Sequence, residues 1–182
     1  MPTGTCATVT DADAAVEQVA DGCADTAGLA LDTSRAQICG DFDFQVDYTL
    51  TSFPVSASQG RWTGVRIQTL GSGGSSGSTP GMTIERYSAN YLSPTEYYKS
   101  YTSDSSDTAS TLGSTSDTGG KLRITRTGAM MTSYYWQAAT ATWSMLRTES
   151  ITTAPMLVVL YTATSEPTGE TVSFDNAVFT PM

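Results

Sequence analysis

The sequence predicts an all-β chain folded as a two-sheet antiparallel β-sandwich. Composition is the first reason: only 15% of the 182 residues are charged, and Ser, Thr and Gly supply polarity in place of Lys and Glu. Thr is β-branched and polar, which suits exposed strand positions, whereas Lys and Glu favour helix surfaces. The second reason is a ten-residue alternation in which Phe42, Phe44, Val46, Tyr48 and Leu50 interleave with Asp41, Asp43, Gln45, Asp47 and Thr49. A period of two marks a strand with one buried and one wet face. The third is spacing, with roughly ten short strand-like stretches set between Gly- and Ser-rich turns, as in sandwiches and barrels. A chain of this length buries a core without subdividing, so residues 1–182 are read as one domain.

Along the chain, residues 9–21 are the one segment with a helical alternative. Thr10 supplies a cap, Asp11 and Asp13 sit near the positive end, and Gly22 supplies a stop. A polar N-terminal arm is the other expectation there. A short strand begins at Gly28. After residues 41–50, residues 62–70 form the next strand, with Val65 and Ile67 toward the core. The Gly/Ser run at 71–81 is too small and polar to pack, and is expected as a hairpin loop. Residues 82–87 and 96–101 continue the strand pattern. A polar loop is expected over 102–120, carrying Asp104, Asp107 and Asp117. Strands then follow at 121–127, 129–137, 142–147, 155–162 and 171–179. The run from Pro155 to Tyr161 is apolar almost without a break, which predicts a strand protected on both faces.

Charge and cysteines narrow the partners. A formal net charge of −9 with scattered Lys and Arg gives no positive patch for a phosphate backbone, so neither nucleic acid nor an anionic membrane surface is expected. No apolar stretch of about 18 residues is present to insert as a helix. Cys6, Cys23 and Cys39 allow one disulfide in an oxidising compartment. Cys23–Cys39 is favoured slightly over Cys6–Cys23, and three thiols in a reducing compartment are the alternative. Zinc is not expected without His or a Cys-x-x-Cys pair. Met1-Pro2 reads as an initiator placed where a leader was removed, which favours a secreted, periplasmic or cell-surface location.

From residue 121 the order of elements becomes recognisable. Lys121–Gly128 is a strand ending in a Gly turn, followed by an aromatic strand at 131–136, a hairpin at 138–141 and then Trp143. Residues 172–179 close the pattern and residues 40–46 open it. Over residues 40–180 this series resembles the concanavalin A-like lectin/glucanase jelly-roll superfamily, near its laminin-G-like and DUF1349-type secreted bacterial modules. The resemblance implies a jelly roll and, in some members, glycan binding. It also places Asp175 and Asn176 where some carbohydrate-binding jelly rolls hold calcium, so a structural Ca2+ on those two residues is an expectation. It further places Trp143 as a packed anchor of its hairpin.

Catalysis is hard to build from these residues. The absence of His removes Ser-His-Asp and Cys-His arrangements and the usual neutral-pH proton shuttle. Jelly-roll glucanases present Glu-x-Asp-x-(x)-Glu on one strand face, and here Asp41 and Asp43 are followed by Gln45. Sugar recognition, by contrast, needs aromatic surface with polar groups to fix hydroxyls. Tyr87, Tyr91, Tyr98, Tyr101 and Trp136 are the candidate ligand contacts. Tyr97 and Tyr98 must point to opposite faces of any strand that holds both. The expected function is therefore a non-catalytic secreted or surface binding module, with glycan as ligand. A structural or adhesive domain meeting another surface protein is the alternative, and a polysaccharide hydrolase or lyase the third.

Overall fold

A computed structural model of the chain describes residues 7–11, 15–19, 26–30, 37–54, 60–70, 79–89, 96–102, 111–165 and 169–182, with side chains from residue 37 onward except 111 and 112. These residues form strands and no helix. In chain order they are β1 (Ala7–Asp11), β2 (Ala15–Val19), β3 (Thr26–Ala30), β4 (Phe42–Ser52), β5 (Arg61–Thr69), β6 (Gly81–Ser88) and β7 (Glu96–Thr102). There follow β8 (Thr111–Ser114), β9 (Gly119–Thr127), β10 (Met130–Gln137), β11 (Thr142–Ser150), β12 (Met156–Thr164) and β13 (Glu170–Pro181). A seven-stranded sheet runs β1-β2-β13-β4-β9-β10-β11, and a six-stranded sheet runs β3-β12-β5-β6-β7-β8. Every pairing is antiparallel.

The alternation in β4 holds as read. Phe42, Phe44, Val46 and Tyr48 are buried between the sheets. From β9 they meet Leu122 and Ile124, and the opposite sheet supplies Val65, Ile67, Met82, Ile84, Val158 and Leu160. A one-residue slip would turn the whole set to solvent, so burial fixes the register. β12 is buried along both faces, with Val159 alone partly exposed, and is flanked by β3 and β5. The 71–81 segment joins β5 to β6, which pair as a hairpin, although residues 71–78 lie outside the described residues.

Three expectations change. Where residues 9–21 had a helical alternative, β1 and β2 form strands, and β2 pairs with β13 at Glu170–Phe174. A helix this short is marginal alone, and the open edge of β13 offers backbone partners that outweigh local caps. The loop over 102–120 contains a strand, β8, laid against β7. Cys39 is an exposed free thiol, so the Cys23–Cys39 bridge is not formed here, and Cys23 and Cys6 lie outside the described residues. Ile38 pairs with Met156 and is buried, which turns its neighbour Cys39 outward.

Polar contacts tie the two sheets at fixed points. Tyr48 Oη lies 2.7 Å from Tyr98 Oη, and Ser100 Oγ lies 2.7 Å from Ser133 Oγ. At one end Glu170 accepts from Thr162 and faces Arg61 across 3.8 Å, both side chains being wholly buried. At the other end Arg126 donates to the carbonyls of Gly40 and Ala154 beneath the Phe42 ring. No helix among the described residues is long and apolar enough to cross a membrane.

Phe44→Ala should cost about 3–5 kcal/mol through lost burial and an unfilled cavity. Urea unfolding measures this, and a loss under about 1 kcal/mol would show that the site collapses freely. A second outcome concerns pH. Burial pushes the Glu170 carboxyl up to about 8 from an ordinary 4.5, against the pull of Thr162 and Arg61. The folded protein thus keeps a proton that the unfolded chain releases, and stability falls as pH rises from about 4.5 to about 8. Glu170→Gln should flatten that decline in the urea midpoint. An unchanged slope would place the titration elsewhere.

Candidate functional site

The outer face of the six-stranded sheet collects the aromatic and charged side chains of four strands. Residues two apart on a strand share a face, so Trp62, Gly64 and Arg66 of β5 lie opposite to the core residues Val65 and Ile67. Register then arranges the outward residues in cross-strand rows. One row runs Trp62, Tyr87, Tyr97. The next runs Tyr161, Gly64, Glu85, Lys99. A third runs Val159, Arg66, Thr83, Tyr101.

The first row is a stack. Trp62 and Tyr87 lie 5.8 Å apart at 9°, and Tyr87 and Tyr97 lie 5.1 Å apart at 17°. Lys99 Nζ sits 4.7 Å from the Tyr87 ring centre and 5.0 Å from that of Tyr101, so it bridges the first and third rows as a cation over two rings. Arg66 lies 5.0 Å from the Tyr161 ring centre. Tyr87 and Tyr97 are buried, whereas Trp62, Arg66, Lys99 and Tyr101 keep part of their surface exposed.

The middle row holds the chemistry. Glu85 is only 1% exposed although it points away from the core. Tyr161 donates to Glu85 Oε2, Tyr101 donates to the same oxygen at 3.4 Å, and Lys99 Nζ stands 3.7 Å from Oε1. Gly64 makes this possible, because it lies between Tyr161 and Glu85 and has no side chain to separate them. A Cβ at Gly64 would overlap the Ile84 carbonyl oxygen and fall 2.7 Å from Glu85 Cα. Burial pushes the Glu85 carboxyl up, with Lys99, Tyr161, Arg66 and Tyr101 pulling it back. Burial and then the charge of Glu85 hold the Tyr161 and Tyr101 phenols above their ordinary range. Both phenols therefore serve as hydrogen-bond donors at neutral pH.

The candidate contacts read from the sequence separate onto different surfaces. Tyr87 and Tyr101 belong to this face. Tyr98 points the other way, fully buried, bonded to Tyr48 and Asp117, and stacked on Tyr135 at 4.3 Å. Burial pushes its hydroxyl up to about 12. Trp136 stands on the outer face of the seven-stranded sheet, edge-on to Trp143 at 5.3 Å. Trp143 packs on Trp136 across the hairpin of β10 and β11 and keeps part of its surface exposed. Tyr91 lies outside the described residues. Sequence reasoning missed Trp62, Arg66, Glu85, Lys99 and Tyr161. Face parity within 97–101 carried the usable signal, since it groups Tyr97, Lys99 and Tyr101 and sets Tyr98 apart.

Asp175 pairs with Asp47, and a bulge follows between Asp175 and Val178, with Asn176 at φ 51°. The Asn176 side-chain Nδ2 donates to Asp47 at 3.0 Å, and Lys121 Nζ holds both Asp47 oxygens at 2.7 and 2.9 Å. Calcium takes six to eight oxygen ligands. Here Asp47, the residue across from Asp175, already carries the Lys121 ammonium. No group of three acidic or sulfur ligands suited to a metal occurs among the described residues.

No protein-family model matches the chain, and no curated protein sequence matches it. Solved structures do. The exoplasmic/lumenal domain of VIP36, solved with Ca2+ and Man3GlcNAc, is similar over 97% of this chain and 82% of its own, with a TM-score of 0.64 and 10% identity. A legume lectin-like domain from Entamoeba histolytica is similar over 97% of this chain and 88% of its own, with a TM-score of 0.64 and 12% identity. An alginate lyase from Klebsiella pneumoniae is similar over 97% of this chain and 84% of its own, with a TM-score of 0.58 and 11% identity. Identities this low carry the fold and nothing further.

Gly64→Ala should destabilise the protein by about 1–3 kcal/mol, because the added methyl has no space between β5 and β6. Urea unfolding reads the effect, and a change within about 0.5 kcal/mol would show that the row can open without loss.

Proposed function

We propose that this concanavalin A-like jelly roll is a carbohydrate-binding module that holds a saccharide against the outer face of its six-stranded sheet. The observation that carries this is the Trp62–Tyr87–Tyr97 stack with Arg66, Lys99 and Tyr101 fixed beside it on one face. A pyranose offers an apolar C–H face to an aromatic ring, while its hydroxyls and any carboxylate need oriented polar partners. Trp62 is the partly exposed end of the stack and meets the ring. Arg66 of β5 and Lys99 of β7 both act on Glu85 of β6, so two cations share one carboxyl that burial pushes toward its neutral form, which favours an acidic sugar unit over a neutral one. Lectin-like neighbours in structure support carbohydrate as the ligand class, and an exported location accompanies it.

A polysaccharide lyase is the second reading, and one observation favours it. Tyr101 and Tyr161 both meet Glu85 beside Arg66 and Lys99, and phenols near cations are groups able to move protons. The direction of the pKa shifts weighs against it. A general base must be ionised at working pH, and both phenols are pushed further into the protonated form. Binding without turnover fits that balance better. A surface without any small ligand fits the partly exposed Trp62, Arg66 and Lys99 less well.

Immobilised neutral and acidic polysaccharides, probed with folded protein, test the proposal. Acidic chains should bind, binding should weaken with salt, and Arg66→Gln with Lys99→Gln should weaken it about tenfold or more. Chelation of calcium should leave it unchanged. Flat signals across the panel would sink the proposal, and release of unsaturated sugar ends would replace it with the lyase.

A further inference from the structure

The seven-stranded sheet carries a second set of rings, on its own outer face. Along β10, Met131, Ser133 and Tyr135 turn inward: Met131 and Ser133 are fully buried, Ser133 meets Ser100 of the other sheet, and Tyr135 stacks on Tyr98. Tyr134 and Trp136 therefore turn outward. Across β11 they pair with Met145 and Trp143. The two indoles meet edge to face, with centroids 5.3 Å apart and planes at 74°, and Tyr134, Trp136 and Trp143 all keep part of their surface exposed. Met145 is 64% exposed. Outward positions of a sandwich strand are ordinarily polar. Here they are three rings and a methionine.

A fixed polar group borders the rings. The Arg123 guanidinium lies 5.1 Å from the Tyr134 ring centre and 5.5 Å from that of Trp143. Asp43 holds it through two parallel hydrogen bonds of 2.9 and 2.7 Å. The Gln45 amide donates to both Asp43 oxygens, at 3.3 and 3.2 Å, which leaves its carbonyl as an acceptor. Along the same face Lys121 pairs with Asp47. Here each cation has its own carboxylate, whereas on the six-stranded face Arg66 and Lys99 share Glu85.

We propose that Tyr134, Trp136, Trp143, Arg123 and Asp43 form a second saccharide site, specific for a neutral sugar, on the face opposite to the first. Indole surface accepts the C–H face of a pyranose. At its border the guanidinium donates and the carboxylate and carboxamide accept, which suits neighbouring hydroxyls that do both. A protein partner fits less well. Protein interfaces are depleted of charge at their cores, and covering this face would desolvate two ion pairs that water or sugar hydroxyls leave solvated. With sites on opposite faces of the sandwich, no short saccharide reaches both, so one molecule would bridge two chains.

The test uses the full chain with Arg66→Gln and Lys99→Gln in place, which disables the first site. Calorimetric titration and indole fluorescence with cellohexaose, mannohexaose, maltohexaose and xylohexaose read what remains. At least one neutral hexaose should bind with a stoichiometry of one and shift the indole emission. Trp143→Ala and Arg123→Gln should each weaken it about tenfold or more, and Trp143→Phe should retain part of the affinity. Arg123→Gln leaves the rings in place, so it keeps the test decisive where the alanine variant fails to fold. No binding by any neutral hexaose in this background overturns the inference, as does binding that ignores both substitutions and responds only to Trp62→Ala. Acidic-glycan binding by the parent protein speaks separately to the first site.

Discussion

A carboxyl group buried on the outward side of a sheet has to be answered from within that sheet, and Glu85 imposes this on everything around it. Water does not reach it, so an unpartnered Glu85 would carry a large desolvation cost. Its partners come from β7 and β12, strands that do not touch each other in the sheet order. Tyr161 reaches across β5 at Gly64, where no side chain stands between it and Glu85. Lys99, placed to face the carboxyl, also lies over two rings, so the charge network and the aromatic stack hold one another in position. Disturbing either moves both.

That coupling bears on what the face can do. Side chains locked by mutual hydrogen bonds lose little entropy when a ligand arrives, and such preorganisation favours recognition. The same locking works against chemistry, because a phenol that donates to a buried carboxyl is poorly disposed to surrender its proton. The two outer faces divide along similar lines. One sets two cations around a single buried carboxyl beside a ring stack, and the other sets balanced ion pairs beside two indoles.

Much of the fold was legible because its strongest strands advertise themselves locally. Phe42 to Leu50 alternates without a break, and the apolar run of β12 admits few other placements. What failed was decided by distant partners. Residues 9–21 carry acceptable helix signals, yet β13 captures part of them through its free edge. Thr111–Ser114 reads as polar loop until β7 is beside it. The site was less legible still. Local density of tyrosine drew attention to Tyr98, which density alone cannot separate from Tyr97, although one is core and the other outer face. Glu85 and Tyr161 are 76 residues apart, and no local pattern announces their meeting.

The sheet order also sets a timetable for synthesis. β3 sits at a sheet edge against β12, and β2 is joined to the body of its sheet by β13. More than a hundred residues separate each from its partner, so at ribosomal speeds the early strands wait on the order of ten seconds for the strands that pair with them. During that interval their backbone edges are open to any other chain. The Ser, Thr and Asp that keep the early segment polar thus matter before the native state exists, when solubility rather than packing decides whether the chain reaches it.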